Sequence, residues 1–251
     1  MHSAPCLDPE VRAAYNGGTM KRGVSASIWV FVLLLGIAVS ATAVAGDSAA
    51  DFNARGNAKL AAGDLAAAIP YFSMAIESDP KLAAAYGGRG RAYFGKGDFD
   101  KAFVDFDALV RLAPKLALGY NGRGNIYFAK GEHAKAIVEY NQAIKLDPTH
   151  SMSFNNRGLA YAGTGDYASA FKDFDEAIRL DPTNATAYGS RGRVHLDKGE
   201  FDKAIADCNE AIKLDPANVF AINIRSRARR ASGDAAGADA DAARLSELSG
   251  R

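Results

Sequence analysis

The side chains able to hold a metal ion or perform catalysis are few in this chain, and their spacing predicts no such site. The two cysteines and four histidines share no ligand spacing, which predicts neither a disulfide framework nor a metal centre. Cys208 is expected to be buried as a small apolar side chain. The sequence has no Ser/His/Asp set, no phosphate-binding loop and no H-E-x-x-H motif. We therefore expect a protein that is not an enzyme and that binds no cofactor.

Arginine and asparagine offer recognition chemistry instead, because a guanidinium group binds carboxylates with two parallel hydrogen bonds and an amide has both a donor and an acceptor. One arginine recurs every 34 residues, at Arg55, Arg89, Arg123, Arg157, Arg191 and Arg225. Acidic residues keep the same step, at Asp105, Glu139, Asp173 and Asp207. The arginines form either a ligand-binding stripe or a structural set that pairs with acids of a neighbouring repeat. The matching step of the acids favours the structural interpretation.

The 34-residue step also predicts the helices that position these side chains. Prolines follow it at Pro80, Pro114, Pro148, Pro182 and Pro216. A Gly-Asp/Glu pair follows it at Gly63, Gly97, Gly131, Gly165, Gly199 and Gly233. A period of this length is typical of stacked helix–turn–helix units. In each unit we expect a first helix (helix A), a turn at the glycine, a second helix (helix B) capped by the acid, and a stop before the proline.

The residues of one unit form a motif, aromatic-x-x-Arg-Gly-x-x-Tyr, then Ala-x-x-x-aromatic, then Asp-Pro. In the third unit these are Tyr120, Arg123, Gly124, Tyr127, Ala136, Tyr140 and Asp147-Pro148. The motif resembles the tetratricopeptide repeat (TPR) and covers about residues 49–248. The resemblance implies an all-α TPR superhelical solenoid of antiparallel helix pairs with about six repeats. Five units are expected in 46–218, and a degenerate sixth unit with a capping helix in 219–251.

The TPR family lines its concave surface with helix A, and the resemblance therefore implies a peptide-binding groove on particular side chains of this chain. These are Asn53, Asn57, Asn121, Asn125, Asn155, Asn156, Asn223, Arg193, Arg227 and Arg230. The asparagines are expected to grip the backbone of an extended peptide. The arginines are expected to favour a partner with an acidic or free carboxylate end. The alternative is that both residue types are merely tolerated on a solvated face.

The charge balance and the small side chains add two further expectations. The formal net charge is +1, which argues against nucleic-acid binding because that function needs excess cationic charge. Ala136, Gly158 and their equivalents are expected where helices A and B cross closely, so that a larger residue there would overpack the crossing.

The first 45 residues read differently from the repeats. Residues 1–19 lack periodicity and are expected to be a disordered extension upstream of the true start at Met20. Residues 20–45 have a basic beginning, a short apolar run and Ala43-Val44-Ala45, which is typical of a signal peptide. Cleavage after Ala45 would place the protein in a bacterial periplasm or outside the cell, with no stable membrane span. The alternative is an uncleaved N-terminal anchor.

Two functions follow from this organisation. The favoured one is an exported adaptor or scaffold that binds a peptide segment of a partner protein in its concave groove. The alternative is a structural subunit of a cell-envelope or secretion complex, assembled through its convex face. The identity of the partner, the pathway and the oligomeric state are left open by the sequence.

Overall fold

A computed structural model describes residues 47–250, and the expected extension, signal peptide and start at Met20 lie outside them. The described residues form twelve α-helices and contain no strand. None of the helices within residues 47–250 combines the length and the apolar character that a membrane span requires. The helices are α1 (Ala49–Ala61), α2 (Leu65–Ser78), α3 (Ala83–Gly95), α4 (Phe99–Leu112), α5 (Ala117–Ala129), α6 (His133–Leu146), α7 (Ser151–Gly163), α8 (Tyr167–Leu180), α9 (Ala185–Asp197), α10 (Phe201–Leu214), α11 (Val219–Ser232) and α12 (Ala235–Ser249).

The helices belong to two compact units, which divide between Lys96 and Gly97. In the first unit α1 packs against α2, and α3 packs against both of them. In the second unit each helix from α4 to α12 packs against the next one in the chain. The odd-numbered helices are the predicted helices A and the even-numbered ones are the predicted helices B.

The glycine turns between helices A and B are confirmed. All six turn glycines have positive φ, for example +75° at Gly131 and +84° at Gly165, a conformation that side chains with a Cβ rarely adopt. The acid that follows caps helix B through its side chain at Asp64, Asp166 and Asp234. The other three acids, Asp98, Glu132 and Glu200, make no such bond, so the predicted side-chain cap holds in half of the units.

Small residues do lie where helices A and B cross. Ala136 is fully buried. A Cβ added to Gly124 would lie 2.6 Å from the ring of Tyr140, and one added to Gly158 would lie 2.8 Å from the ring of Phe174. Each aromatic ring of helix B therefore occupies the space that the glycine of helix A leaves open.

The core changes in the last two repeats. Cys208 takes the position of these aromatic rings and is fully buried, and burial raises the pKa of its thiol to about 12, as expected for an inert apolar side chain. Ala242 takes the same position in α12 and is exposed. This helix has the small and polar outer face that terminal repeats need for solubility.

The repeated arginine is a structural residue in the second unit. Arg157 donates from Nε and Nη2 to the carboxylate of Asp173 at 2.7 and 2.6 Å. Its Nη1 donates to Asn141 on the preceding helix B at 2.7 Å. The same two contacts recur at Arg123, Arg191 and Arg225.

The prediction that these arginines pair with helix B acids is confirmed, but the prediction that the acids belong to a neighbouring repeat was wrong. Each acid lies 16 residues after its arginine, on the helix B of the same repeat. The preceding repeat supplies a different partner instead, the side chain that accepts the hydrogen bond from Nη1 of the arginine. One guanidinium group therefore joins three helices, because its fork presents donors on two edges.

Candidate peptide-binding surface

The helices A of the second unit lie side by side, since α5 contacts α7, α7 contacts α9 and α9 contacts α11. We call their exposed faces the helix A surface. Leu118, Met152 and Phe220 occupy the same repeat position on α5, α7 and α11, and they are 38%, 40% and 43% exposed. The ring of Phe220 packs against α9, since a Cβ added to Gly189 would lie 3.2 Å from it. The surface therefore carries apolar side chains that are open to a ligand.

Asn121 is one of the predicted groove residues, but its amide is already bonded within the protein. Its Nδ2 atom donates to Oγ of Ser153 at 2.8 Å, and the hydroxyl of Ser153 donates back to its Oδ1 atom at 3.1 Å. Nδ1 of His150 lies 2.7 Å from the same hydroxyl oxygen. Because Asn121 is only 8% exposed, it joins α5 to α7 rather than facing a ligand.

The other asparagines of α5 and α7 form a chain of hydrogen bonds. Oδ1 of Asn125 accepts from the hydroxyl of Tyr140 at 2.8 Å and from Nδ2 of Asn156 at 3.1 Å. Oδ1 of Asn156 in turn accepts from Nδ2 of Asn155 at 3.1 Å. The structure thus brings Asn125, Asn155 and Asn156 together, and these bonds leave the Nδ2 atom of Asn125 unused.

Tyr140 anchors this chain of amides from the core. Burial raises the pKa of its hydroxyl well above the ordinary value, so the hydroxyl stays protonated and donates to Asn125 at any physiological pH. The ring itself is 1% exposed. The position of Asn125 is therefore fixed by a core residue of the same repeat.

The remaining predicted asparagines are placed separately. Asn53 and Asn57 lie on α1 in the first unit, where Asn57 is exposed and Asn53 is half-buried. The Oδ1 atom of Asn53 has no hydrogen-bond partner among the described residues. Asn223 lies on α11 in the second unit and is exposed.

The three predicted arginines are all exposed, but they differ in whether an acidic side chain pairs with them. Arg193 is exposed and lies 3.5 Å from Asp197, one turn along α9. Arg227 is exposed and makes no ion pair within residues 47–250. Arg230 pairs with Asp239 of α12 at 2.6 Å. Arg227 thus remains available on the helix A surface, Arg193 has a longer ion pair within its own helix, and the charge of Arg230 is matched by an acid of α12.

Sequence reasoning missed Ser153, His150 and Tyr140 as parts of this surface. A signal for Ser153 was present, because the same repeat position holds alanine in α3, α9 and α11. Ser153 of α7 departs from this pattern, and among the described helices A it is the one serine that bonds an asparagine of the preceding repeat. Within residues 47–250, no group of three or more His, Cys, Asp or Glu side chains is arranged to hold a metal ion.

Comparison with known proteins identifies the repeats and the fold. The family profile described as "TPR repeat" matches residues 124–165, and the one described as "Tetratricopeptide repeat" matches residues 53–117 and 155–219. No curated protein sequence matches the chain.

Solved structures give the same fold at low identity. A chain in the crystal structure of the APC/C hetero-tetramer Cut9–Hcn1 is 17% identical with a TM-score of 0.77, and the match covers 90% of this chain but only 44% of that one. PilW, a type IV pilus biogenesis factor, is 19% identical with a TM-score of 0.71, covering 78% of this chain and 91% of PilW.

A third structure is YrrB, a TPR protein with an unusual peptide-binding site. It is 22% identical with a TM-score of 0.52, and the match covers 70% of this chain and 90% of YrrB. Likeness at these identities concerns the fold, whereas the profile matches concern the repeats themselves. The chain therefore belongs to the tetratricopeptide repeat family, with the all-α TPR superhelical solenoid of antiparallel helix pairs and about six repeats.

Proposed function

We propose that this protein is an exported scaffold that binds an extended peptide segment of a partner protein on the helix A surface of its second unit, and that the segment has an acidic end. The observation that carries the proposal is that the exposed, unpaired Arg227 and the exposed ring of Phe220 lie two turns apart on one face of α11. A free guanidinium group binds carboxylates in bidentate fashion, and an exposed aromatic ring offers an apolar contact. No catalytic role is proposed.

The similar proteins are consistent with a scaffold. YrrB is a TPR protein with an unusual peptide-binding site, and PilW is a type IV pilus biogenesis factor. TPR proteins bind protein or peptide partners, and the balance of charge on this chain argues for a peptide rather than a nucleic acid.

The proposal is tested with a fluorescein-labelled peptide of alternating alanine and serine that ends in glutamates, called the acidic peptide below. Its binding to the double variant Arg193→Ala, Arg227→Ala is measured by fluorescence anisotropy at low and high salt. We expect a roughly tenfold loss of affinity at low salt and a smaller loss at high salt, because exposed charge is screened.

The matched control is Arg111→Ala, Arg179→Ala, which removes two exposed arginines from helices B. This control changes the net charge equally and should bind the acidic peptide as the wild type does. Equal binding by the wild type and by the helix A double variant at low salt would refute the proposal.

Export is tested independently of binding. The sequence of the mature N-terminus should read Gly46-Asp47-Ser48, because cleavage is expected after Ala45. A membrane-bound protein that retains the residues from Met20 onward would establish the anchor instead.

A second candidate function has one observation in its favour. Val104 and Val138 occupy the same position on α4 and α6 and are 65% and 66% exposed, which fits a structural subunit assembled through its helix B face. The double variant Val104→Lys, Val138→Lys separates the two functions. It should leave acidic-peptide binding intact, and under the second function it should abolish assembly measured by cross-linking in cells.

A further inference from the structure

Of the two methionines within residues 47–250, one is buried and the other is open to solvent. Met74 is 6% exposed and belongs to the core of the first unit. Met152 is 40% exposed and lies on the helix A surface, on α7. Peroxide oxidises a thioether that it can reach, whereas a buried thioether is protected until the protein opens locally. Met152 is therefore the described methionine that is exposed to oxidation.

The repeat position of Met152 does not require sulfur. It holds Leu118 in α5, Thr186 in α9 and Phe220 in α11. The leucine and the phenylalanine offer apolar side chains of similar exposure, and leucine and methionine usually replace one another at little cost in stability. Leucine would therefore serve an apolar contact equally well, and what methionine adds at this position is a thioether that can be oxidised.

A buried amide lies beside the sulfur of Met152. Nδ2 of Asn155 donates to Asn156 at 3.1 Å and lies 4.0 Å from that sulfur, and an amide nitrogen has one N–H group for each of these two acceptors. Asn155 is 1% exposed, and the amide chain through Asn125 to Tyr140 holds it in place. The donor is thus fixed, whereas a thioether sulfur is only a weak acceptor.

Oxidation gives this donor a stronger acceptor. An oxygen bonded to the sulfur can approach Nδ2 of Asn155 more closely than the sulfur itself does, and the three rotatable bonds of methionine let the side chain turn the oxygen towards the amide. A sulfoxide is polar where the thioether was apolar. One chemical step therefore removes an apolar contact from the helix A surface and ties the side chain of Met152 to a buried amide.

We propose that Met152 is a redox-controlled modification site, at which hydrogen peroxide converts the thioether to a sulfoxide that Asn155 holds. A lone pair of the sulfur attacks one peroxide oxygen and the O–O bond breaks. The proton of the transferred oxygen moves to the departing hydroxide, which leaves as water. The sulfur is oxidised by two electrons and the peroxide is reduced.

The consequence for binding rests on the proposed function. The oxidised helix A surface binds the apolar side chains of the partner segment more weakly, because a polar group that has to be desolvated replaces an apolar contact. Methionine sulfoxide reductases reverse this oxidation. Binding is thereby switched off by peroxide and restored by reduction.

The modification itself is tested by peptide mapping. The full chain is treated with hydrogen peroxide, digested and analysed by mass spectrometry, which reads each methionine separately. Met152 should take up one oxygen at least roughly tenfold faster than Met74. Equal rates would overturn the assignment of Met152.

The role of Asn155 is read from its side-chain amide by nitrogen-15 NMR. Oxidation of the wild type should move the resonance of its Nδ2–H group downfield, because a strong acceptor replaces a weak one. Asn121 is the matched control, since it has the same repeat position and its amide bonds Ser153. Its resonances should move much less. An unchanged Asn155 resonance in the oxidised protein would show that Asn155 does not hold the sulfoxide.

The effect on binding is measured with the leucine peptide, a form of the acidic peptide in which leucine replaces each alanine. The oxidised wild type should bind it roughly three- to tenfold more weakly than the untreated protein, and reduction by methionine sulfoxide reductase should restore the affinity. Met152→Leu should bind this peptide equally before and after peroxide. Met152→Gln should also be insensitive to peroxide, and it should bind more weakly than Met152→Leu.

The outcomes separate the redox control from the proposed function. If the oxidised and untreated wild type bind the leucine peptide equally, while binding still depends on Arg193 and Arg227, the redox control is wrong and the proposed function stands. If Met152→Leu loses affinity on oxidation as the wild type does, another residue is responsible and the assignment of Met152 is wrong. If neither peptide binds the wild type, the proposed function is wrong, and the peptide map and the Asn155 resonance decide the modification by themselves.

Discussion

The helix A surface of α5 and α7 differs from that of α9 and α11 in how it uses its polar groups. On α5 and α7 the amides of Asn121, Asn125 and Asn156 bond to one another or to Ser153 and Tyr140. On α9 and α11 the repeat position of Asn125 holds Arg193 and Arg227, which are both exposed to solvent. Asn125 and Arg193 share one repeat position, yet the first is held by neighbours and the second is largely free.

The comparison shows that a repeat position does not by itself decide whether a side chain is available to a ligand. Availability depends on the residue one repeat later, because each helix A packs against the next one. Ser153 ties down Asn121, whereas Ala187 leaves Asn155 unsatisfied. Substitutions in the two halves of the surface, and in the helix packing beneath them, test this difference.

The largest effect on the free energy of unfolding is expected at the arginine–acid pairs between helices A and B. Arg157→Ala should lower the free energy of unfolding by about 3–5 kcal/mol, because it leaves the buried carboxylate of Asp173 without its partner. The hydrogen bonds to Asp173 raise the pKa of Arg157, in agreement with a stabilising pair. Arg193→Ala should change the same quantity by less than about 0.5 kcal/mol. Urea unfolding of both variants measures the contrast, and equal losses would contradict it.

A smaller loss is expected from overpacking the helix crossing. Gly124→Ala places a methyl group 2.6 Å from the ring of Tyr140 and should cost about 1–3 kcal/mol. Gly192→Ala meets the sulfur of Cys208 at 3.0 Å and the main-chain oxygen of Ala204 at 3.2 Å and should cost less, because neither contact is as short as the one at Gly124. Thermal unfolding followed by circular dichroism compares them. A larger loss for the Gly192 variant would show that the aromatic core of the third repeat is not the tighter one.

A loss of about 1 kcal/mol is expected when the amide chain loses its anchor. Tyr140→Phe keeps the ring in place and removes the hydroxyl that donates to Asn125 at 2.8 Å. Tyr161→Phe is the control, since the hydroxyl of Tyr161 on α7 makes no hydrogen bond within residues 47–250. Urea titrations of both variants give the difference, and identical midpoints would mean that the bond to Asn125 contributes nothing.

The smallest effect on stability is expected at the exposed pair of α9. Asp197→Asn should change the free energy of unfolding by less than about 0.5 kcal/mol, because both partners are exposed and solvent screens the pair. The same variant should bind the acidic peptide more tightly, since Asp197 no longer competes for Arg193 at 3.5 Å. Unchanged affinity at low salt would indicate that Arg193 does not contact the peptide.

Much of the fold could be predicted because its causes are local and periodic. The left-handed turn at Gly131, the buried Ala136 at the crossing and the helix end before Pro148 each depend on residue types inside one unit. The recurrence of these types at 34 residues predicts the stacking, because a single helix pair cannot bury its apolar face alone.

The pairing of the repeated arginines could be predicted only in part. Matching steps of Arg157 and Asp173 indicated a pair, but a fixed period cannot tell a partner in the same repeat from one in the next. The geometry of the helix pair decides it, since a separation of 16 residues brings the arginine of helix A opposite the acid of helix B.

Tertiary packing decides which polar groups of the candidate site are free to bind a ligand. The sequence placed asparagines and arginines on helix A, and the structure keeps them there. Which amides are free could not be predicted, because hydrogen bonds such as that of Asn121 with Ser153 join residues 32 apart on different helices. A single change from serine to alanine at the matching position of the next repeat leaves the oxygen of Asn155 without a donor, and only the packed helices show that this oxygen is buried.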